Sequence, residues 1–139
     1  MSRQMSLAIL VLAVLAVLAG IQFTKSDDSG QAGCVGVRRS YERASFVEKS
    51  GDVPTSAIYR DVAVTVRQAA ASAPPAVVQP VTDLAAAYVQ IGSLLSGFDP
   101  DDASTYHVYE DNSATIERQQ DIVDTSLPAI RDWLDSRCG

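Results

Sequence analysis

Apolar positions recur along this chain in steps of three and four, most cleanly over Val77–Leu95. Val77, Val81, Leu84, Tyr88, Ile91 and Leu95 alternate four- and three-residue steps. At 3.6 residues per turn, that spacing keeps all six in one narrow stripe on a helix. Ala85, Ala86 and Ala87 add helix propensity and let a partner backbone come close. Such a stripe cannot stay in water, so the segment predicts the central helix of a bundle. Ile116, Gln120, Val123, Leu127, Ile130 and Leu134 repeat the stepping with one polar slot, predicting a second long helix near the end of the chain.

Two shorter patterns lie upstream. From Cys34, Val37, Tyr41, Ala44 and Val47 step at helical intervals, and Gly51 suits a C-cap. Asp52-Val-Pro-Thr-Ser reads as a turn into a helix whose buried side is Ile58, Tyr59, Val62, Val66, Ala69 and Ala70. Val64 lies off that stripe. Pro74-Pro75 separates this helix from the central one. Pro80 and Pro128 fall inside stripes that continue through them, which predicts kinks rather than breaks. Gly97-Phe98-Asp99-Pro100 stops the central helix, and Asp99 with Pro100 can cap and open a short one. The stretch to Asp111 reads as irregular or briefly helical, with Asn112 and Ser113 capping the last helix. No period-two segment appears, so the predicted fold is all-α, an antiparallel bundle of three or four helices.

The first residues change this picture. Met1-Ser-Arg-Gln is followed by an almost wholly apolar run from Met5 to Phe23. Residues 1–23 read either as a signal peptide, with Val17-Leu18-Ala19 as a cleavage site, or as a single transmembrane anchor. Arg3 before the run and Asp27 and Asp28 after it orient the N-terminus to the cytoplasm and export the body. The expected location is therefore extracytoplasmic, membrane-anchored through residues 5–23 or secreted. Residues 24–33 form a polar tether, and residues 34–139 the bundle domain. Ala32-Gly33-Cys34 resembles the end of a lipobox, but Gln31 stands where an aliphatic residue belongs and the apolar run ends about ten residues earlier.

In an exported chain two cysteines pair, so Cys34 and Cys138 are expected to form a disulfide. The loop it closes would remove denatured-state entropy worth up to about 4.7 kcal/mol. As metal ligands the pair lacks company, since the chain has a single histidine. The net charge of −6 at pH 7 argues against nucleic acid as a partner. Charge is also unevenly spread: Cys34–Arg67 is rich in Arg and Lys, while Asp83–Asp135 carries only Arg118 and Arg131 as cations. Two bundle halves attracting across their rims explain this, or an acidic face offered to a cationic partner does.

Catalytic signatures are absent: no phosphate-binding glycine loop, no Gly-x-Ser-x-Gly, no His-Glu-x-x-His and no Cys-x-x-Cys. His107 lies between Tyr106 and Tyr109, where it could serve as a haem ligand or simply pack over a bundle end. Asp99, Asp101, Asp102, Glu110 and Asp111 cluster around it, but EF-hand spacing is missing and Asp-Pro-Asp-Asp reads equally as a capped helix start. Gln120 in the seam reads as a satisfied buried amide, a register-setting residue or a ligand contact, and Tyr88 needs a partner for its hydroxyl.

A signal or anchor at Met5–Phe23, an early Cys34, Ala73-Pro74 opening a helix through Asp83, and Trp133-Leu-Asp-Ser-Arg-Cys138 at the end make up a recognisable layout. It resembles small exported helical proteins of high-GC Gram-positive bacteria. The resemblance implies a helical fold and an exported location, and transfers no active site. The function expected is that of a non-enzymatic cell-envelope protein, an interaction or structural module meeting another envelope protein. The alternative is an extracytoplasmic carrier of a small apolar ligand or haem, held near Tyr88, Tyr106 and His107.

Overall fold

The three-four stripes fold as helices. The computed structural model describes residues 33–51 and 54–139, and these build four helices: α1 (residues 33–49), α2 (Ser56–Ser72), α3 (Pro75–Leu94) and α4 (Tyr106–Arg137). A single 3-10 turn, Ala103–Thr105, precedes α4. There is no strand among the described residues. The folded unit runs Gly33–Gly139. Short connections make sequential helices antiparallel neighbours, so the start of α1, the α2–α3 turn and the end of α4 share one end of the bundle. The α1–α2 and α3–α4 connections share the other.

Helix α3 is the axis. All six residues of its stripe are buried, with α1, α2 and α4 supplying the cover: Val37, Ala44 and Val47; Tyr59, Val62 and Val66; Val123, Ile130 and Leu134. Pro75 opens α3 at N1, where a missing N–H costs nothing, and Pro80 lies inside the continuous helix. Pro128 lies inside α4 in the same way. Helices α2 and α3 approach closely at Gly92. The Ser56 hydroxyl donates to the Gly92 carbonyl at 2.6 Å, and a Cβ at Gly92 would stand 3.2 Å from Arg60 Cγ and 3.4 Å from the Ser56 carbonyl oxygen.

The first end is closed covalently. Cys34 and Cys138 form the expected disulfide, 104 residues apart in sequence with their Cα atoms 5.7 Å apart. Arg38 adds a hydrogen bond from its guanidinium to the Cys138 carbonyl, at 3.2 Å. Trp133 packs at the edge of the seam nearby.

Three expectations are corrected. Helix α4 begins at Tyr106, six residues before Asn112. Asn112 and Ser113 are not caps because their side chains donate back to the carbonyls of Val108 (2.8 Å) and Glu110 (3.0 Å), which lets them sit inside a helix. Ile58 belongs to no core, being 45% exposed, because it projects from α2 away from α3. The third correction concerns the anchor and the membrane-bound or secreted location drawn from it. No helix among the described residues is long and apolar enough to cross a membrane, so the described bundle holds no transmembrane helix to support that anchor. Residues 1–23 and the tether up to residue 32 lie outside the described residues, so the signal or anchor expected there does too.

Candidate functional site

The end of the bundle opposite the disulfide is open. Its base is a polar junction. Glu48 on α1 turns inward between α3 and α4, where Tyr88 donates its hydroxyl to Glu48 Oε1 at 3.0 Å and Gln120 donates its amide to Glu48 Oε2. Three helices thereby share one carboxylate. Burial pushes the Glu48 carboxyl above its ordinary range, against the opposing effect of the two donated hydrogen bonds, and Asp124 pushes it further up. Tyr88 has its phenol raised by burial and by the Glu48 charge. Tyr59, whose ring lies 5.7 Å from that of Tyr88, is pushed up to about 12, first by burial and then by Glu48.

On a helix, positions two apart lie about 200° apart in rotation. Glu48 turning inward therefore turns Phe46 outward. Phe46 is 77% exposed, and Ile58 faces it from α2. These two side chains begin an open groove of about 1290 Å³ that runs between α1 and α2 and on to the α3–α4 connection. At that far end Phe98 lies between two tyrosines, with ring centroids 5.9 Å from Tyr106 and 5.8 Å from Tyr109. Both tyrosines are more than a third exposed. Few aromatics occur in the whole chain, 6% of residues, so gathering four of them around one groove is a concentration that core packing does not require.

The connection that carries Phe98 is firmly built. Gly97 takes φ +88°, which turns the chain out of α3 at no steric cost. The Thr105 hydroxyl donates to the Asp99 carbonyl (2.9 Å) and accepts from the Asp99 N–H (2.9 Å). Asp102 caps the 3-10 turn through the Ser104 N–H (3.0 Å), and the Ser104 hydroxyl and N–H together hold its carboxyl below the ordinary range. The Tyr106 hydroxyl donates to the Pro100 carbonyl at 3.0 Å. Charged residues line the rim: Arg39, Glu42 and Arg43 on α1, Asp61 on α2, and Asp101 and Glu110 at the far end. Arg43 and Asp61 form an ion pair.

The residues singled out from the sequence do not converge. Tyr88 is fully buried and spent on Glu48. Tyr106 lines the groove, while His107 is exposed outside its lining with Nδ1 2.9 Å from the Ser104 carbonyl oxygen. Asp99 and Asp102 use carboxylate oxygens to cap the turn. No group of three His, Cys, Asp or Glu side chains among the described residues is placed to hold a metal ion. Sequence reasoning passed over Phe46, Ile58, Phe98 and Tyr109 as members of one surface. The readable signal was Phe46, an aromatic residue standing off the Val37–Val47 stripe of its own helix.

Fold and site together define a small disulfide-closed helical bundle with an aromatic groove at its open end. No protein-family model matches the chain, and no curated protein or solved structure matches it. The resemblance to small exported helical proteins rests on layout alone.

Proposed function

We propose that this chain is a non-enzymatic binding module that receives an apolar segment of another protein in the groove between α1, α2 and the α3–α4 connection. The observation that carries this reading is the exposure of Phe46 beside Ile58, Tyr106 and Tyr109. A monomer gains nothing by leaving such residues together in water, whereas covering Phe46 alone is worth about 1.5–3 kcal/mol before ordering costs. Size supports the same reading. Small-molecule sites commonly enclose about 300–1,000 Å³ and bury most of their ligand. This groove is larger, at about 1290 Å³, and open along its length. The Glu48 junction ties α1, one wall of the groove, to α3 and α4.

The test is site-specific photocrosslinking in the cell of origin. A photoreactive phenylalanine analogue at position 46 should yield a discrete protein adduct that the same analogue at Val64, exposed but outside the groove, does not. The same adducts from both positions, or none from position 46, would count against the proposal.

A further inference from the structure

The groove is not uniformly charged along its length, and the pattern restricts what can lie in it. From Arg39 to Ser50 it follows about 16 Å of the α1 axis at 1.5 Å per residue, the length of roughly three turns of an added helix. Over the first part of that path the charges cancel locally. Arg39 has Glu42 one turn away on the same helix face, and Arg43 is paired with Asp61. At the far end they do not cancel. Asp101 and Glu110 line the groove, no cation pairs with either among the described residues, and the sequence holds no Lys or Arg between Asp99 and Glu117. The same end exposes the rings of Tyr106 and Tyr109, whose faces attract cations.

We infer that the occupant is an amphipathic helix of a partner protein, about three turns long, with Lys or Arg gathered in one terminal turn. It lies with its apolar anchors against Phe46 and Ile58 and its basic turn against Asp101, Glu110 and the two tyrosines. This deepens the docking reading above and rests on it. A second copy of the chain is the weaker candidate, since each copy carries a net charge of −6 and the two repel at long range.

The experiment titrates full-length protein into fluorescently labelled model helices of about three turns, built from leucine and alanine with either lysines or glutamates in the last turn, and reads anisotropy. The lysine peptide should bind at least about tenfold more tightly than the glutamate peptide, with the gap narrowing as salt rises. In the Asp101→Asn/Glu110→Gln variant that advantage should fall severalfold, while Glu117→Gln/Asp135→Asn, equally neutralising but outside the groove, should leave it intact. Phe46→Ser, checked for folding by circular dichroism, should abolish binding of both peptides. Equal binding of the two peptides, lost in Phe46→Ser, would overturn the charge inference and leave the docking reading standing. Binding that survives Phe46→Ser, or no binding at all, would overturn both. Sedimentation of the protein alone as a dimer that Phe46→Ser disperses would assign the groove to a second copy and overturn the basic-helix occupant.

Discussion

The two ends of the bundle are built from the same four helices and finished in opposite ways. At one end a disulfide, the Arg38–Cys138 hydrogen bond and the Pro74–Pro75 turn close the helices on each other. At the other no disulfide ties the helices; a shared carboxylate on α1 and the Ser56–Gly92 hydrogen bond join them, and aromatic side chains are left facing outward. A helix end needs its polar groups satisfied and its apolar stripe covered. The closed end meets both needs within the chain. The open end satisfies its polar groups through Glu48, Asp102 and Thr105, yet leaves apolar surface uncovered. The covalent lock thus lies at the end away from the aromatic groove, which leaves the proposed docking surface free of it.

The largest effect should come from the closed end. Replacing both cysteines, Cys34→Ser with Cys138→Ser, should lower unfolding stability by up to about 4.7 kcal/mol, the chain-entropy value for a loop of this size, read as a lower urea midpoint with a steeper slope, because the denatured chain without its cross-link exposes more surface. Trp133 fluorescence reports the closed end and tyrosine absorbance the open one, so the two transitions should still coincide. A loss below about 1 kcal/mol would mean that packing, and not the disulfide, holds that end.

Next in size is Glu48→Ala at the open end. It strips Tyr88, a fully buried residue, of its hydrogen-bond acceptor, and leaving a buried donor unpaired costs about 1–3 kcal/mol. Chemical denaturation measures it, and an unchanged midpoint would show that the junction does not hold the open end.

A smaller and pH-dependent effect is expected for Glu48→Gln, which keeps the shape and an acceptor for Tyr88. The Glu48 carboxyl is raised above 4.5 in the folded state, chiefly by burial. A raised acid contributes stability that is fully present below its unfolded value and is lost as pH rises through the folded one. The variant should therefore be at least as stable as the parent at pH 7, and its advantage should shrink as pH falls toward 4.5. Denaturation midpoints over that window test the sign, and an advantage that grows on acidification would refute the burial account.

The smallest effect should be that of Phe46→Ser on stability, within about 0.5 kcal/mol, because the side chain touches solvent and not the core. A loss of several kcal/mol would mean that Phe46 stabilises the fold and would dissolve the contrast between the two ends.

The helices themselves were legible. The stripes through Val77–Leu95 and Ile116–Leu134 appear as buried faces, apart from the polar slot at Gln120 and a half-buried Leu127, because helical periodicity is local and each stripe needs only some partner. Gln120 and Tyr88 each announced a need for a hydrogen-bond partner, but Glu48, lying 40 and 72 residues away from them, could not be chosen from several exposed acids without the fold. Ile58 and Val64 illustrate the limit on α2. Both are apolar, and the assignment of Ile58 to the core failed because a helix flanked on two sides has a buried arc whose edges depend on where its neighbours sit.

By itself the sequence determined the class of fold, the helical stripes and which cysteines could pair, since two cysteines admit only one intramolecular disulfide and the stripes admit only helical burial. Only the tertiary structure decided which bundle end stays open, which carboxylate ties α1 to α3 and α4, and that Phe46, Ile58, Phe98, Tyr106 and Tyr109 meet on one surface. Those outcomes depend on helices crossing at particular rotations, a property of the packed bundle that no single segment encodes.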